Sequence, residues 1–546
     1  MKIISSVILG SLLSIISITA KSQLTINSGA ILNIQSGALV VVQGDVTGSE
    51  NISGTGSLSL KGSAIQNINM NGFTVPNLVI DNVANVNITG GIKINNTAIF
   101  TNGKLILGNN NVTLSATETN SNMATGKFFE TNGTGVVKKE VTADFSNYII
   151  PLGLGTDYMP VAVTNTGSTY NAASISVQAK PAASLFKHPR SESYLLTTWP
   201  ITKTGITGGT TNAVATYIDP TKVIGTETDL RGFYWDGTNW SLAGGNQNTT
   251  SNTVAANITT NSGELYGMNK FVLLDAKAFL QGPYNNGTGL MNDNLRTTAA
   301  YVPGNAPTGN LLPSSDPYRT AIYSTSFTHV NNTVNEIALS TAFNDMPNAS
   351  DNVVDWVFLE LRNNITLGNT VLQTRSALLQ RDGDIVDIDG VSPIYFKNVD
   401  PSSYTIAVRH RNHLGMASNP AVFNQPLNII TNPTKLNFTN TASSNNFMGT
   451  AGSNYFNNGT INMLYGGNVN MNTTIRWNVP SSDKDYLLNI VLGGVSSTIL
   501  LNVYNVGDLN LNRGVRWNVP NSDKDFILSF PLTGLSSLVK NQLFPN

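Results

Sequence analysis

Short apolar runs that alternate with Asn and Gly turns fill residues 23–116. The run INSGAIL at 26–32 returns eight residues later as IQSGALV at 34–40, and similar runs continue as far as 112–114. Strands this short and this close together cannot each build a sheet, but coils stacked on one another share a core and leave few open edges. The pattern predicts a β-solenoid over 23–116, with an irregular sandwich of short hairpins as the alternative.

The composition favours strands and turns, and it argues against two classes of partner. Charged residues make up 12% of the chain, whereas about 25% is typical of globular domains. The net charge of −1 provides no basic field to attract nucleic acid or anionic lipid. The absence of Cys excludes disulfides, thiolate metal sites and a lipid-modified N-terminal cysteine.

The first 22 residues have the layout of a secretory signal peptide. Lys2 precedes an apolar run from Ile3 to Ile18, and the small residues Ala20 and Ser22 provide a cleavage site before the next residue. This run is shorter than the roughly 20 residues of a membrane-spanning helix. We therefore expect an exported protein without a transmembrane segment after cleavage, which lies at the cell surface, associates with the outer membrane or is released.

Two β-rich segments are predicted after the solenoid. The strand-like runs of 120–276 lie further apart, as at 135–141 and 159–163, which is typical of an antiparallel β-sandwich. Alternating runs in 277–425 predict a second sandwich-like domain. A linker is predicted over 426–459.

Aromatic residues mark a predicted hairpin at 234–240, with Asp-Gly at its turn. Trp235 and Trp240 flank this turn as cross-strand neighbours. Burial in the core is the favoured interpretation of both rings. The alternative is that they stack on sugar rings, together with Tyr284.

Two polar clusters in the third segment could bind a cation. Ca²⁺ requires six to eight oxygen ligands, and the densest group of carboxylates is Asp382, Asp384, Asp387 and Asp389. Two Asp-Gly dipeptides favour solvated turns for this group instead. His410 and His413 form a His-x-x-His pair, but in one strand they would point to opposite faces, and neighbouring arginines would repel a metal.

A repeat of forty residues near the C-terminus is the sharpest motif. GNVNMN at 467–472 and RWNVP at 476–480 return as GDLNLN at 507–512 and RWNVP at 516–520. Each copy continues with Ser-Asp-Lys-Asp and an apolar stretch, which is typical of a capped helix start. We predict a small domain of two loop-helix copies over 460–546.

These copies resemble the degenerate dockerin-like calcium repeats at the ends of Bacteroidota surface proteins. The third segment resembles a module that precedes such repeats in haemagglutinin-like proteins of that phylum, through DWVFLELR at 355–362, RSALLQRDGD at 375–384 and VRHRNHL at 408–414. Together the two resemblances cover less than half of the chain. They imply a protein partner that binds through the repeats.

The resemblance also implies calcium as a cofactor, although several positions depart from the family pattern. Amides replace carboxylates, Arg513 stands where Gly is expected, and Val519 occupies the twelfth loop position. Fewer carboxylates weaken a Ca²⁺ site, so a structural remnant that caps the helices is the alternative. The implied ligands are Asp508, Asn510, Asn512, Asp523 and Asp525 in the second, better copy, and Asn468, Asn470, Asn472, Asp483 and Asp485 in the first.

The sequence as a whole predicts a non-enzymatic exported protein for adhesion or surface assembly. The resemblance extends this prediction to haemagglutinin-like attachment and gliding motility. The alternative is a glycan-binding protein accessory to polysaccharide use. A glycoside hydrolase is less favoured because the chain has no nucleophile elbow, zinc-protease motif or phosphate-binding loop, but paired carboxylates need proximity in space only.

Overall fold

A computed structural model describes residues 23–363, 370–400, 402–418, 433–442 and 449–545. The predicted signal peptide, 1–22, lies outside the described residues. The described chain is mainly β, as predicted, and it divides into two compact units, Met1–Asn269 and Lys270–Asn546. Within the described ranges, no helix is long and apolar enough to cross a membrane.

The strands of the first unit are short at first and longer towards its end. In chain order they are β1 (Leu24–Ile26), β2 (Leu32–Ile34), β3 (Leu39–Val42), β4 (Val46–Gly48), β5 (Ile52–Gly54), β6 (Ser57–Gly62), β7 (Gln66–Asn69), β8 (Thr74–Asn82), β9 (Val86–Gly90), β10 (Ile92–Asn102), β11 (Leu105–Ile106), β12 (Val112–Leu114), β13 (Thr119–Ser121), β14 (Phe129–Glu130), β15 (Val137–Val141), β16 (Phe145–Ile150), β17 (Leu152–Leu154), β18 (Asp157–Tyr158), β19 (Val161–Val177), β20 (Tyr194–Leu195), β21 (Trp199–Thr216), β22 (Val223–Ile224), β23 (Leu230–Trp235), β24 (Trp240–Ser241), β25 (Asn246–Asn248), β26 (Thr253–Asn257) and β27 (Ser262–Asn269).

The predicted β-solenoid is confirmed and has about six coils. One face consists of parallel pairings among β1, β4, β7, β9, β11, β14 and β17, and another of β3, β6, β8, β10, β12 and β15. Leu24 pairs with Val46, and Val46 with Ile68, so one coil takes about 22 residues. Side chains alternate between the core and solvent: in β2, Ile34 is buried, whereas Asn33 is exposed.

Buried amides satisfy backbone carbonyls inside the solenoid. The Nε2 of Gln66 donates to the carbonyls of Val42 at 3.0 Å and Gly44 at 2.7 Å. The Nδ2 of Asn82 donates to Gln66 Oε1 at 2.7 Å and to the carbonyl of Ala64 at 2.8 Å. Carbonyls left unpaired in this interior would each cost about 1–3 kcal/mol, which accounts for the polar residues in its core.

The solenoid extends further than the predicted boundary at 116. Strands β14 and β17 continue its first face, and β15, predicted as a sandwich strand, pairs in parallel with β12. Val112 pairs with Val137, a longer step than the 20 residues between Ile92 and Val112. This longer step hides the last coils from a search for regular spacing.

Antiparallel pairing begins beyond the solenoid, as predicted for this segment. β15 also pairs with β19, which pairs along most of its length with β21. β21 then pairs with β26 and β27, and β27 with β23. The predicted hairpin is present, with Trp235 opposite Trp240.

The second unit combines one large sheet with short peripheral strands, two short α-helices, 3₁₀ turns and a π-helix at Leu487–Val491. Its strands are β28 (Phe271–Lys277), β29 (Tyr284–Asn285), β30 (Leu290–Met291), β31 (Val353–Arg362), β32 (Val371–Gln380), β33 (Asp384–Val386), β34 (Ile394–Lys397), β35 (Thr405–His410), β36 (His413–Ala417), β37 (Thr434–Asn437), β38 (Phe456–Asn457), β39 (Asn462–Met463), β40 (Thr474–Ile475), β41 (Leu500–Leu501), β42 (Gly514–Val515) and β43 (Lys540–Asn541), and its helices are α1 (Asp483–Tyr486) and α2 (Asp523–Ser529).

The large sheet has the order β34-β28-β33-β32-β31-β35-β36, and β37 pairs with β28. All ten residues of its central strand β31 are buried. A segment with a 3₁₀ turn at Pro317–Arg319 packs on this strand, since Tyr318 and Phe327 each lie 5.4 Å from the ring of Phe358. The hydroxyl of Tyr318 also donates to the carbonyl of Trp356 at 2.9 Å.

Two predicted boundaries in this unit differ from the structure. Residues 426–432 and 443–448 of the predicted linker lie outside the described residues, but β37 lies within it and buries Leu436. The repeats at 460–546 are not a separate domain, because Ile527 and Leu532 join the same hydrophobic core as Val272. The first helix has four residues and continues as a five-residue π-helix at Leu487–Val491, and the second helix has seven residues. Helices this short cannot bury a sufficient core of their own.

Candidate functional site

The two C-terminal copies pair reciprocally. β40 of the first copy pairs with β43 at the end of the second, and β42 of the second pairs with β41 at the end of the first. The side chains repeat this exchange: Asn478 Nδ2 donates to Ser536 Oγ at 2.8 Å, and Asn518 Nδ2 to Ser496 Oγ at 3.0 Å. Because each contact recurs with the copies interchanged, the repeats form an intramolecular pair with approximate two-fold symmetry.

The pair exposes the same apolar positions in both copies. Three positions carry an exposed apolar side chain in each copy, with fractional exposures between 40% and 63%. We call these side chains the repeat apolar set: Ile490, Val495 and Ile499 in the first copy, and Phe530, Leu535 and Val539 in the second. Single exposed apolar residues are common on protein surfaces, but a set that recurs at equivalent positions offers a partner two matching contacts.

The helix starts predicted from Ser-Asp-Lys-Asp are confirmed. Ser482 and Ser522 are the N-caps, and their hydroxyls accept from the backbone N–H groups of Asp485 at 3.3 Å and Asp525 at 3.2 Å. Each helix then begins with a buried aspartate. The cap therefore fixes the position of one buried carboxylate in each copy.

These buried aspartates organise the preceding loops. Asp523 accepts from the backbone N–H groups of Leu509 at 3.0 Å and Arg516 at 2.9 Å. Asp483 accepts from Arg476 at 2.9 Å and Asn470 at 3.4 Å. Burial raises the pKa of each aspartate to about 7, although the backbone N–H groups act in the opposite direction.

The second loop brings two implied calcium ligands close together. Asp508 accepts from the backbone of Asn512 at 2.9 Å and of Arg513 at 2.8 Å, and burial raises its pKa to about 6. Its negative charge also raises the pKa of Asp523. The Asp525 carboxylate instead lies 3.1 Å from the ammonium group of Lys524.

The implied amide ligands face their own loops. Asn510 Oδ1 accepts from the backbone of Asn512 at 3.2 Å, and Asn512 Oδ1 accepts from Gly514 at 3.1 Å. Arg513, where the family pattern expects Gly, has a φ of 75°, the left-handed conformation that favours glycine. Two adjacent carboxylates are fewer than a typical Ca²⁺ site provides, and calcium binding stays a prediction.

The first loop offers a weaker donor set. Asn468 Nδ2 donates to the carbonyl of Asn472 at 2.7 Å. Asn470 Oδ1 accepts from the backbone of Asn472 at 3.3 Å, and Asn472 Oδ1 accepts from Thr474 at 2.6 Å. The Asp485 carboxylate lies 3.6 Å from the ammonium group of Lys484. Asp483 is therefore the one implied carboxylate ligand of this copy that points into its loop.

The acidic cluster in 382–389 does not converge on one point. Lys277 lies 3.2 Å from the carboxylate of Asp382 and 2.8 Å from that of Asp384. Asp387 pairs with Arg375 at 3.0 Å, and Asp389 accepts from the backbone of its own turn. The four carboxylates thus have three different sets of partners.

The expectation that His410 and His413 face opposite ways is wrong. They end β35 and begin β36, and the turn between them makes them a cross-strand pair. Their Nδ1 atoms lie 3.1 Å apart, and His410 Nε2 lies 3.0 Å from Asp355 Oδ2. His413 Nε2 accepts from the backbone of Gly282 at 3.2 Å, so this ring carries its proton on Nδ1. Burial lowers the pKa of both histidines.

The same buried network attaches the repeats to the sheet. Asp355 accepts from Arg411 Nε at 3.0 Å and from the hydroxyl of Tyr504 at 2.8 Å. Burial alone would raise the pKa of Asp355, but Arg411 and His410 lower it to about 2. Asn412 Nδ2 donates to the carbonyls of Val506 at 3.0 Å and Asp508 at 2.7 Å. This network fixes the second loop on the hairpin of β35 and β36.

The aromatic residues of the first unit are packed rather than free. Trp235 and Trp240 are buried, and Phe186 stacks on Trp235 at 4.7 Å. Trp240 Nε1 donates to the carbonyl of Phe186 at 3.0 Å. In the second unit, half-buried Tyr284 packs on Phe279 at 4.9 Å. The two tryptophans therefore offer no open face for a sugar ring.

The sequence analysis missed a cluster in the second unit. One ligand atom each from Asp316, His329 and Glu336 lies within 4.8 Å of the other two. The three residues are separated by short irregular segments and match no metal-binding spacing, so nothing in the sequence pointed to them. Comparisons of the chain with family models, with curated proteins and with solved structures find no match.

Proposed function

We propose that this chain is a non-enzymatic exported protein that acts in adhesion or surface assembly through its C-terminal repeats. The observation that carries the proposal is the repeat apolar set, which the reciprocal pair presents twice. Apolar side chains with matching positions on two copies favour a protein partner over a small molecule, since protein interfaces bury many side chains at once. The signal-peptide-like N-terminus supports export.

The β-solenoid supports the same proposal. Its coils pair with their neighbours along two faces, so its strands form a continuous stack with few free edges. A stack with few free edges resists edge-to-edge association, which suits a protein with a role in adhesion or surface assembly. By the resemblance described above, the surface machinery of gliding is one setting for such a role.

The test is a strain that lacks the gene, compared with the same strain complemented by the full chain. We expect the deletion strain to lose attachment to glass or spreading on soft agar, and the complemented strain to regain it. Unchanged attachment and spreading in the deletion strain would count against adhesion.

Glycan binding is a second candidate, favoured by a cleft in the second unit. The cleft has a volume of about 550 Å³, and its lining includes Asn331, Gln373, Asp400 and Tyr404. Gln373 is 5% exposed, and its Oε1 makes no hydrogen bond within the described part of the chain. A few polar groups beside an aromatic ring can orient a sugar. A glycan array probed with the wild type and a Gln373→Ala variant tests this role, and equal binding by both proteins would exclude this cleft.

A further inference from the structure

Three side chains in the second unit share one arrangement; Asp316 and Glu336 are buried, and His329 is half-buried. Each has two polar atoms, of which one is held by a hydrogen bond and the other makes none to the described residues. The atoms without a hydrogen bond are Asp316 Oδ2, His329 Nε2 and Glu336 Oε2, and one ligand atom of each residue lies within 4.8 Å of the other two. Asp316 Oδ2 and Glu336 Oε2 have ion-pair contacts to Arg319 at 3.3 Å and 3.7 Å. Buried polar atoms normally make hydrogen bonds, so atoms that make none and lie this close together point to a shared ligand.

The hydrogen-bonded atoms orient the three side chains. Asp316 Oδ1 accepts from the backbone of Tyr318 at 2.9 Å. Glu336 Oε1 accepts from Asn332 Nδ2 at 2.6 Å. The backbone N–H of Asp316 donates to the carbonyl of Glu336 at 2.9 Å, so the two acidic segments lie side by side. The site is held by its surroundings and needs no ligand to assemble.

Thr374 contacts the second ring nitrogen of His329. The Thr374 hydroxyl accepts from the backbone N–H of Val330 at 3.1 Å, and its own proton can reach the Val330 carbonyl at 3.4 Å or His329 Nδ1 at 3.3 Å. When this proton goes to the carbonyl, the hydroxyl is an acceptor for a proton on His329 Nδ1. A proton on Nδ1 leaves a lone pair on Nε2, and this atom lies 3.0 Å from the carboxylate oxygen Asp316 Oδ2. A cation between the two atoms removes the resulting repulsion.

Two arginines border the site and set its charge. Arg319 Nε lies 3.3 Å from Asp316 Oδ2, while its Nη2 donates to the carbonyls of Asn332 and Val334 at 2.8 Å each. Arg375 lies 3.0 Å from both Glu336 and Asp387. The three carboxylates of Asp316, Glu336 and Asp387 face two guanidinium groups and leave one net negative charge when His329 is neutral. This balance favours an added cation.

We propose that Asp316, His329 and Glu336 bind a divalent transition-metal ion. One imidazole nitrogen and two carboxylate oxygens suit Zn²⁺ and other divalent first-row transition metals, whereas Ca²⁺ and Mg²⁺ prefer oxygen ligands alone. Thr374 is a positioning residue, since a hydrogen bond to the second ring nitrogen of a metal-bound histidine fixes its tautomer. The site is independent of the adhesion role proposed above.

The test is titration of the full chain, freed of metal with EDTA, with Zn²⁺ alone by calorimetry. We expect one tight Zn²⁺ per chain, and His329→Gln and Glu336→Gln each to weaken binding by more than about tenfold. His188→Gln, which removes a histidine of the first unit, should bind as the wild type does.

Two further measurements keep the proposal testable if the ligand variants do not fold. Thr374→Val retains all three ligands and should weaken binding by roughly 10- to 100-fold, as other second-sphere changes do. Co²⁺ in place of Zn²⁺ should give visible absorption bands that Thr374→Val shifts. The proposal is overturned if the wild type binds no Zn²⁺, if His329→Gln and Glu336→Gln bind it unchanged, or if His329 titrates as an imidazolium paired with Asp316 in the presence of Zn²⁺.

Discussion

Buried charged and polar residues determine how the second unit responds to pH. Asp483 and Asp523 are buried at the helix starts, and their pKa of about 7 in the folded chain is well above the usual value of about 4. An acid whose pKa is raised on folding stabilises the fold below its unfolded pKa, and this contribution is lost as the pH rises through the folded pKa. The relevant window for these aspartates is therefore about pH 4 to 7.

We expect the double variant Asp483→Asn/Asp523→Asn to change the pH dependence of stability. Between pH 5 and 8, the wild type should lose on the order of 2 kcal/mol of unfolding free energy per aspartate that the variant does not lose. Urea unfolding with EDTA at constant ionic strength measures this difference, and because both proteins contain the buried histidines, their contribution cancels. Parallel pH profiles for the two proteins would contradict the prediction.

Calcium should stabilise the fold through the buried aspartates of the second loop. If the second loop binds Ca²⁺ as the resemblance implies, the ion should stabilise the wild type most at pH 8, where Asp508 and Asp523 are charged. Thermal unfolding with Ca²⁺ or EDTA measures this effect, with Asp508→Asn as the variant that should lose it. No shift of the wild type's Tm in millimolar Ca²⁺ at pH 8 would favour the structural remnant.

The network around Asp355 predicts that two substitutions lower the free energy of unfolding by different amounts. Asp355→Asn leaves the buried guanidinium of Arg411 without its ion-pair partner and should cost about 3–5 kcal/mol. Tyr504→Phe removes one hydrogen bond to Asp355 and should cost about 1–2 kcal/mol. Urea unfolding of the second unit measures the loss of unfolding free energy in both variants. Equal losses would argue against this network as the attachment of the repeats.

At the scale of elements, the two helix caps should contribute equally to the free energy of unfolding. Ser482→Ala and Ser522→Ala each remove a hydroxyl that accepts from the third residue of its helix, with an expected cost of about 1 kcal/mol each. Ser529→Ala, at the exposed end of α2, is the matched control and should cost close to nothing. A large difference between the two cap variants would contradict the equivalence of the copies.

The sequence predicted the secondary-structure elements better than it predicted which segments contact one another. The solenoid and the caps follow from local signals, namely alternation in the run at 26–32 and Ser-Asp-Lys-Asp. The last coils were missed because their spacing drifts, and the faces of His410 and His413 were misplaced because no Gly or Pro marks the turn between them. The cluster of Asp316, His329 and Glu336 forms only when irregular segments pack on the sheet, which sequence periodicity does not report.

At the scale of the whole molecule, the repeats belong to the second unit and should not be separable from it. Removal of residues 460–546 would expose the apolar core that Ile527 and Leu532 complete. We expect the truncated chain to lose the second-unit transition in calorimetry while retaining that of the first unit. A truncated chain in which 270–459 unfolds cooperatively would show instead that the repeats are an independent domain.

The most direct test of the proposed adhesion role is the attachment to glass of the deletion strain complemented with chains that differ only in exposed apolar residues. One chain carries Ile490→Ser, Val495→Ser, Phe530→Ser and Leu535→Ser, and the control carries Ile31→Ser and Leu185→Ser, which replace residues of the first unit that are 90% and 94% exposed. At equal amounts of exported protein, we predict that the first chain leaves attachment at the level of the deletion strain and that the control restores it. Full restoration by the first chain would contradict adhesion through the repeats.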